Sequence, residues 1–294
     1  DNAYVDAEVS AQGHNWTTAA MSNDYTEKNW MAKYSGRNRG YDFEGTNTAT
    51  YPPAGFLWDD AARAGVSFRD YGEFASYRAA TGRWVPNDPS LSSRFDSNYP
   101  GWGLGISDLT RVAAWRQEFD QFVQHGNLPA LEIVRLPNDH TAGNRPGSLT
   151  PQAMVAQNDQ AVGELVDAVS HSPYWKDTAI VITEDDAQGG PDHVDAHRTE
   201  TLVISPYTQR GVVDHTYYDT ASLVRTIELL LGLQPMTQFD AAATPMYAAF
   251  GTRPDLAPYT ALGPRVGLSG INTPVTPGAA SRATTHTSPV AGSN

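Results

Sequence analysis

The sequence predicts an α/β sandwich around a largely parallel sheet. Apolar residues recur at spacings of three and four over 107–126, 150–169 and 219–232, while short apolar runs occupy 128–136, 178–183 and 201–204. The first pattern is that of helices with one buried face and the second that of strands, and their succession through short links is that of a layered α/β chain. Size agrees, because 294 residues, 40% of them hydrophobic, suffice to bury roughly 75% of the extended chain's surface.

The first hundred residues are aromatic, Asn/Gly-rich and weakly periodic, as in Ser97-Asn98-Tyr99-Pro100-Gly101-Trp102-Gly103, so loops with a few short helices are expected there. A helix is predicted over Trp58–Ala64, with Asp59 and Asp60 in its first turn and Gly65 as its stop, followed by a short strand at Val66–Phe68. Ser107 or Asp108 caps the next helix, which places Val112, Trp115, Phe119, Phe122 and Val123 on one face and ends at Gly126. Leu128–Leu136 reads as a strand, and Thr150-Pro151 opens a helix carrying Met154, Val155, Ala161, Val162, Leu165, Val166 and Val169. The run Thr178–Thr183 has the β-branched character of a strand buried on both faces, and Thr201–Ile204 repeats it. Asp219 or Thr220 then starts a helix through Leu223, Val224, Ile227, Leu230 and Leu231 that closes at Gly232. Residues 1–262 form one domain in this reading, and 273–294 are a disordered Pro/Ser/Thr/Ala-rich tail.

Composition narrows the function. With 20 basic and 33 acidic residues the formal charge is −13, which disfavours nucleic acid and anionic lipid as partners. The absence of Cys excludes disulfides, thiolate metal sites and cysteine nucleophiles, so any metal is held by oxygen or His. No apolar stretch approaches the roughly 18 residues that span a bilayer, so stable membrane insertion is not expected.

Chemistry-bearing residues gather directly after the strands, where α/β sheets collect ligands. Asp139 and His140 follow the first of these strands; Glu184, Asp185 and Asp186 follow the second, with Asp192, His193 and His197 close behind. Three adjacent carboxylates repel one another, and a divalent cation relieves that repulsion. His193 and His197, four apart, add nitrogen donors that favour Zn, Mn or Fe over Ca or Mg alone. The plain alternative is that such acidic triplets are solvated or cap helices. His14, His171 and His215 read as structural histidines, and His125 sits where it complements a helix dipole. Ser10 precedes Gly13-His14, read as a turn, and a helix at Trp16–Ala20; it is a candidate metal-activated nucleophile or merely a cap. Asn15-Trp16-Thr17 fits a glycosylation sequon.

Taken together, ITEDDAQGGPDHVDAHRT, LVISPYTQRG and HTYYDTASLVRTIELLLG, within 179–232, resemble the phosphoesterase branch of the alkaline phosphatase superfamily, which includes bacterial phospholipase C and acid phosphatase-like enzymes. The segments YVDAEVSAQGHNW and DFEGTN are similar to phosphatase domains that follow a β-propeller in bacterial proteins, so the resemblance covers roughly residues 1–260. It implies a three-layer sandwich, a small phosphate-ester substrate, a divalent metal (Zn, Mn, Fe or Ca), periplasmic or secreted placement and an upstream β-propeller. By position Ser10 resembles the nucleophile, Asp185 and Asp186 the paired metal ligands, Asp139 and His140 an acidic-His pair, and Asp192-His193 a DHV element. The resemblance thus implies catalytic roles for Ser10, His140 and His193 and metal ligation by Asp139, Asp185, Asp186 and His197; the three histidines suit either a second metal or the phosphate. The family's Glu-Asn-Arg element has no counterpart in residues 1–9 and is expected upstream of Asp1. The alternative function is a catalytically silent phosphoesterase-like binding or surface domain. A sulfatase or phosphonate hydrolase is a weaker third, since no Cys or sulfatase-type Ser motif is present.

Overall fold

The computed structural model describes residues 1–34, 41–187, 192 and 194–274. In chain order the elements are β1 (Ala3–Tyr4), α1 (Ser10–Ala19), α2 (Asp24–Tyr34), α3 (Leu57–Ala64), β2 (Phe68–Tyr71), β3 (Ala75–Arg78), β4 (Arg83–Pro86), α4 (Asp108–His125), β5 (Leu131–Val134), α5 (Pro151–Ser170), β6 (Ile180–Thr183), β7 (Arg198–Thr199), β8 (Thr201–Ile204), β9 (Tyr218–Asp219), α6 (Thr220–Leu231) and α7 (Gln238–Ala242). The long helices begin at the capping residues the sequence marks. Ser107, Thr150 and Asp219 accept from the backbone N–H of Leu109, Ala153 and Ser222, and α4 and α6 end at Gly126 and Gly232 in the left-handed region.

The fold is mixed α/β. Among the described strands, β1–β9 and β2–β5 pair in parallel, whereas β1–β7, the β3–β4 hairpin and β6–β8 are antiparallel. The matching sequence signatures of β6 and β8 therefore do not make them parallel neighbours. A parallel crossover usually runs through a helix, and the described part of the 184–200 link contains none, so the chain folds back on itself. Leu202, in β8, is about half exposed, so that strand is not buried on both faces along its whole length.

Side-chain alternation along β6 and β8 sends their residues to two different cores. Ile180 and Ile204 pack with Val112, Trp115, Phe119 and Val169 of α4 and α5. Val181 and Val203 pack with Ala221, Leu223 and Val224 of α6. A third core of Phe56, Trp58, Ala61, Phe68 and Phe74 joins α3 to β2 and takes in Leu131 and Ile133 of β5.

Two sequence expectations need correction here. The strand after α3 is Phe68–Tyr71 rather than 66–68, because its backbone pairs in register with Leu131–Val134. The N-terminal helix begins at Ser10, so Gly13-His14 is inside a helix and is not a turn. Beyond residue 262 the chain is still bonded to the body: Gly147 N–H donates to Asn272 O at 2.9 Å and Gln157 Nε2 to Leu268 O at 2.7 Å. From 275 onward the expected tail lies outside the described residues.

Candidate functional site

Helix α1 delivers Ser10 to the far end of β6. Val9, with extended backbone, is the N-cap, and its carbonyl accepts from the N–H groups of Gln12 and Gly13. Ser10 is thus the first helical residue and makes no capping bond. Its Oγ instead donates to Asp186 Oδ2 at 3.0 Å, across 176 residues of chain. The reading of Ser10 as a mere cap is thereby replaced by a long-range side-chain contact.

Asp185 and Asp186 lie just beyond β6, after Glu184, and Asp139 is the third residue of a short 3-10 turn, Pro137–His140, just beyond β5. Burial first and the Asp185 charge second push the Asp186 carboxyl up to about 6, against the pull of the Ser10 bond. Burial, then Glu184 and Asp185, push Asp139 up to about 6 as well. The Asp185 Oδ2 atom is buried and has no hydrogen-bond partner among the described residues. These carboxylates crowd one another and leave an acceptor unsatisfied, a deficit of positive charge that a cation is suited to fill. Their all-oxygen donor chemistry fits a divalent ion held by carboxylates. The described residues nevertheless contain no group of three Asp, Glu or His side chains drawn together as a finished cage.

A buried His14–Glu73 hydrogen bond and a buried Arg135–Glu44 ion pair frame this cluster. His14 Nδ1 lies 2.7 Å from Glu73 Oε1, and its Nε2 lies 3.1 Å from Arg135 Nη2 and 3.5 Å from Asp185 Oδ2. A guanidinium can only donate, so Nε2 accepts from Arg135 and the neutral ring carries its proton on Nδ1 toward Glu73. Burial lowers the imidazole's pKa, but the Glu73 carboxylate, helped by Asp185, outweighs it and leaves a net rise. Arg135 also donates through Nη1 to Glu44 Oε1 at 2.9 Å and lies against the Phe43 and Trp102 rings. Sequence reasoning treated His14 as structural and did not single out Glu44, Glu73 or Arg135. The signal for His14 was its place four residues after Ser10, which shares a face with Ser10 once the segment is helical.

The other expected residues are spread more widely. His140 is exposed and rests edge-on against Trp102, with ring centroids 5.1 Å apart. Its charge reaches Asp186, on which it acts to lower the pKa, so it belongs to the same neighbourhood. His197 hydrogen-bonds Glu8 Oε1 and Asp195 Oδ1, both at 3.0 Å, and lines an open cleft of about 660 Å³ with Tyr4, Asp6, Gln12, Glu27 and Tyr217. None of its described bonds reaches Asp185 or Asp186. Glu184 accepts from Thr199 Oγ1 at 2.6 Å, and Asp192 accepts from Arg198 Nε at 2.7 Å. His193 lies outside the described residues. Asn15 of the sequon is buried and donates to Thr50 O at 3.0 Å, which removes it as a glycan acceptor in the folded chain.

A serine on the first turn of a helix, bonded to one of two adjacent carboxylates at a strand end, defines a mixed α/β protein with a serine–carboxylate site. The chain belongs to the Phosphoesterase family, whose model matches residues 16–234, about three quarters of its length. Ser10 and His14 precede the matched span. Non-specific phospholipase C6 of Arabidopsis thaliana is 25% identical over 194 residues, which cover 50% of this chain and 37% of that protein. The chain thus spans little more than a third of the curated relative it matches. Among the described residues no helix is long and apolar enough to cross a membrane.

Proposed function

We propose that this protein hydrolyses phosphoric esters, with Ser10 as nucleophile and a divalent metal held by Asp185 and Asp186 with Asp139. The observation that carries the proposal is the 3.0 Å bond from Ser10 Oγ to Asp186 beside the crowded carboxylates Asp139 and Asp185. Membership of the Phosphoesterase family and the likeness to a plant phospholipase C support it. The packing of β6 and β8 against helices on both sides supports the three-layer sandwich that goes with it.

In this reading a bound divalent ion supplies positive charge for the phosphate and lowers the pKa of the serine hydroxyl. The protein's own residues do the rest. Ser10 Oγ attacks phosphorus, the ester alcohol leaves with a proton, and the phosphoserine is then cleaved by water to phosphate and free Ser10. The hydroxyl proton is already aimed at Asp186, so the attacking oxygen needs little reorientation. His140 and His193 are proposed to face charge that develops on the phosphate, and His197 to serve as a further ligand. A phosphate ester entering among carboxylates meets repulsion, so without a cation the site opposes its own substrate. The reading extends to a small phosphate-ester substrate and to periplasmic or secreted placement.

The test is turnover of an aryl phosphate by the wild type and by Ser10→Ala, with and without added divalent metal, and mass spectrometry of acid-quenched enzyme. Metal-dependent turnover, lost in Ser10→Ala and accompanied by phosphate on Ser10, is the expected result. Phosphate trapped on another residue, or full turnover by the variant, moves the nucleophile elsewhere. Neither metal nor turnover in the wild type would leave the silent binding domain as the better reading.

A further inference from the structure

We propose that His14 is a positioning residue: clamped at one ring nitrogen by Glu73 and at the other by Arg135, it fixes the rotation of α1 and so the direction in which Ser10 meets Asp186. The inference rests on the assignment of Ser10 and Asp186 to the active site. Ser10 and His14 stand one helical turn apart, about 6 Å along the axis and about 40° around it, so whatever pins the one orients the other. Ser10 is held to the body by its bond to Asp186, whereas His14 is buried and held from two parts of the chain. Glu73 comes from the loop after β2 and Arg135 from the end of β5, and Glu44 in turn holds Arg135. The end of β5 leads directly into the turn that bears Asp139, so the same clamp ties α1 to the two strand ends that supply carboxylates.

A core function alone does not call for this arrangement. The ring lies 6.2 Å, centroid to centroid, from both Phe43 and Phe74, surroundings that an apolar side chain would fill without desolvating a carboxylate and a guanidinium. Directional bonds at both ring nitrogens fix the ring plane, which apolar packing does not. Small rotations of α1 matter because displacement of about 1 Å in a reacting group costs on the order of a hundredfold in rate.

The experiment uses the full chain with a divalent metal and an aryl phosphate, and compares wild type, His14→Ala, His14→Asn and Ser10→Ala. For His14→Ala the expected loss is about a hundredfold in kcat with KM changed by less than about threefold, and partial recovery in His14→Asn, which keeps a donor for Glu73. Crystal structures of wild type and His14→Ala are the second reading, with the Ser10 Oγ to Asp186 Oδ2 distance opening beyond hydrogen-bond range in the variant. If His14→Ala proves insoluble, the double variant His14→Leu/Glu73→Leu removes the ring together with its buried charge and supplies both readings. An unchanged Ser10–Asp186 distance, or a kcat loss that merely follows the unfolded fraction, overturns the positioning role. Full turnover by Ser10→Ala sinks the nucleophile assignment instead, and the crystallographic distance still decides the role of His14.

Discussion

Gly13 of helix α1 lies against the backbone carbonyl of Asp185, so close that a Cβ at position 13 would stand 2.2 Å from that oxygen. Real Cβ atoms do not approach a carbonyl so nearly. This contact, one residue before His14 and three after Ser10, lets the helix sit down on the strand end that carries both carboxylates. A glycine that costs helix propensity is retained where backbone meets backbone.

Gly13→Ala is therefore expected to destabilise, although Ala in a helix interior ordinarily stabilises by about 1 kcal/mol. Overpacking against main chain costs about 1–3 kcal/mol, and the shift needed to relieve it moves α1 away from Asp185. Thermal denaturation should show a melting temperature lower by several degrees, and aryl phosphate turnover should fall further than stability alone explains. A raised melting temperature would show that α1 does not dock this closely.

The metal prediction concerns the carboxylates after β6. Asp185→Ala and Asp186→Ala each remove oxygen donors from a cluster in which Asp185 Oδ2 has no hydrogen-bond partner and the Asp186 carboxyl is pushed up. Elemental analysis after exhaustive dialysis should find bound divalent metal in the wild type and a small fraction of it in either variant. Equal metal content in all three proteins would remove these residues from the ligand set.

What the sequence made legible was what neighbours in the chain decide. Helices α4, α5 and α6 follow from apolar spacing and from Ser107, Thr150 and Asp219, whose capping bonds reach only two or three residues. The acidic run at 184–186 and its place beyond a strand were readable for the same reason. Helix α1 was not. Its polar, glycine-containing stretch Gln12-Gly13-His14-Asn15 is held by Glu27, Asp185, Glu73 and Thr50, contacts 15 to 172 residues away that no local pattern encodes. The antiparallel return of β8 on β6 was hidden too, since strand composition records burial and not direction.

Arg111 tests how the loop bearing Trp102 is held. It is fully buried, pairs with Asp108 at 2.9 Å and donates to the carbonyls of Pro100, Gly101, Gly103 and Ile106 and to Asn138 Oδ1. One planar fork thus ties the 100–106 loop to the turn that ends in Asp139 and His140. Arg111→Lys keeps the charge but cannot reproduce those directions, so it should not rescue. Arg111→Met leaves Asp108 buried without its partner and is expected to cost about 3–5 kcal/mol. Urea titrations of the two variants check both statements, and a lysine variant as stable as wild type would contradict them.

The last prediction is a pH dependence located away from the site. Glu228 of α6 is fully buried; burial first and its bond to Asp240 next push its carboxyl from 4.5 up to about 8, while Asp240 is held below its usual value. Asp240 is thus the ionised partner, accepting from the N–H groups of Met236 and Thr237 at 2.7 and 2.8 Å, and Glu228 keeps its proton at neutral pH. Because the folded value lies above the unfolded one, the native state binds more protons between them. The stabilisation from this group is fully present below about pH 4.5 and is lost as pH rises through about 8. Glu228→Gln keeps the shape and an N–H donor for Asp240 but cannot ionise. Unfolding free energies of wild type and variant, measured from pH 5 to pH 9, should therefore converge or cross in the variant's favour as pH rises. Parallel curves across that range would show that Glu228 is ionised in the folded protein and that the pair does not share a proton.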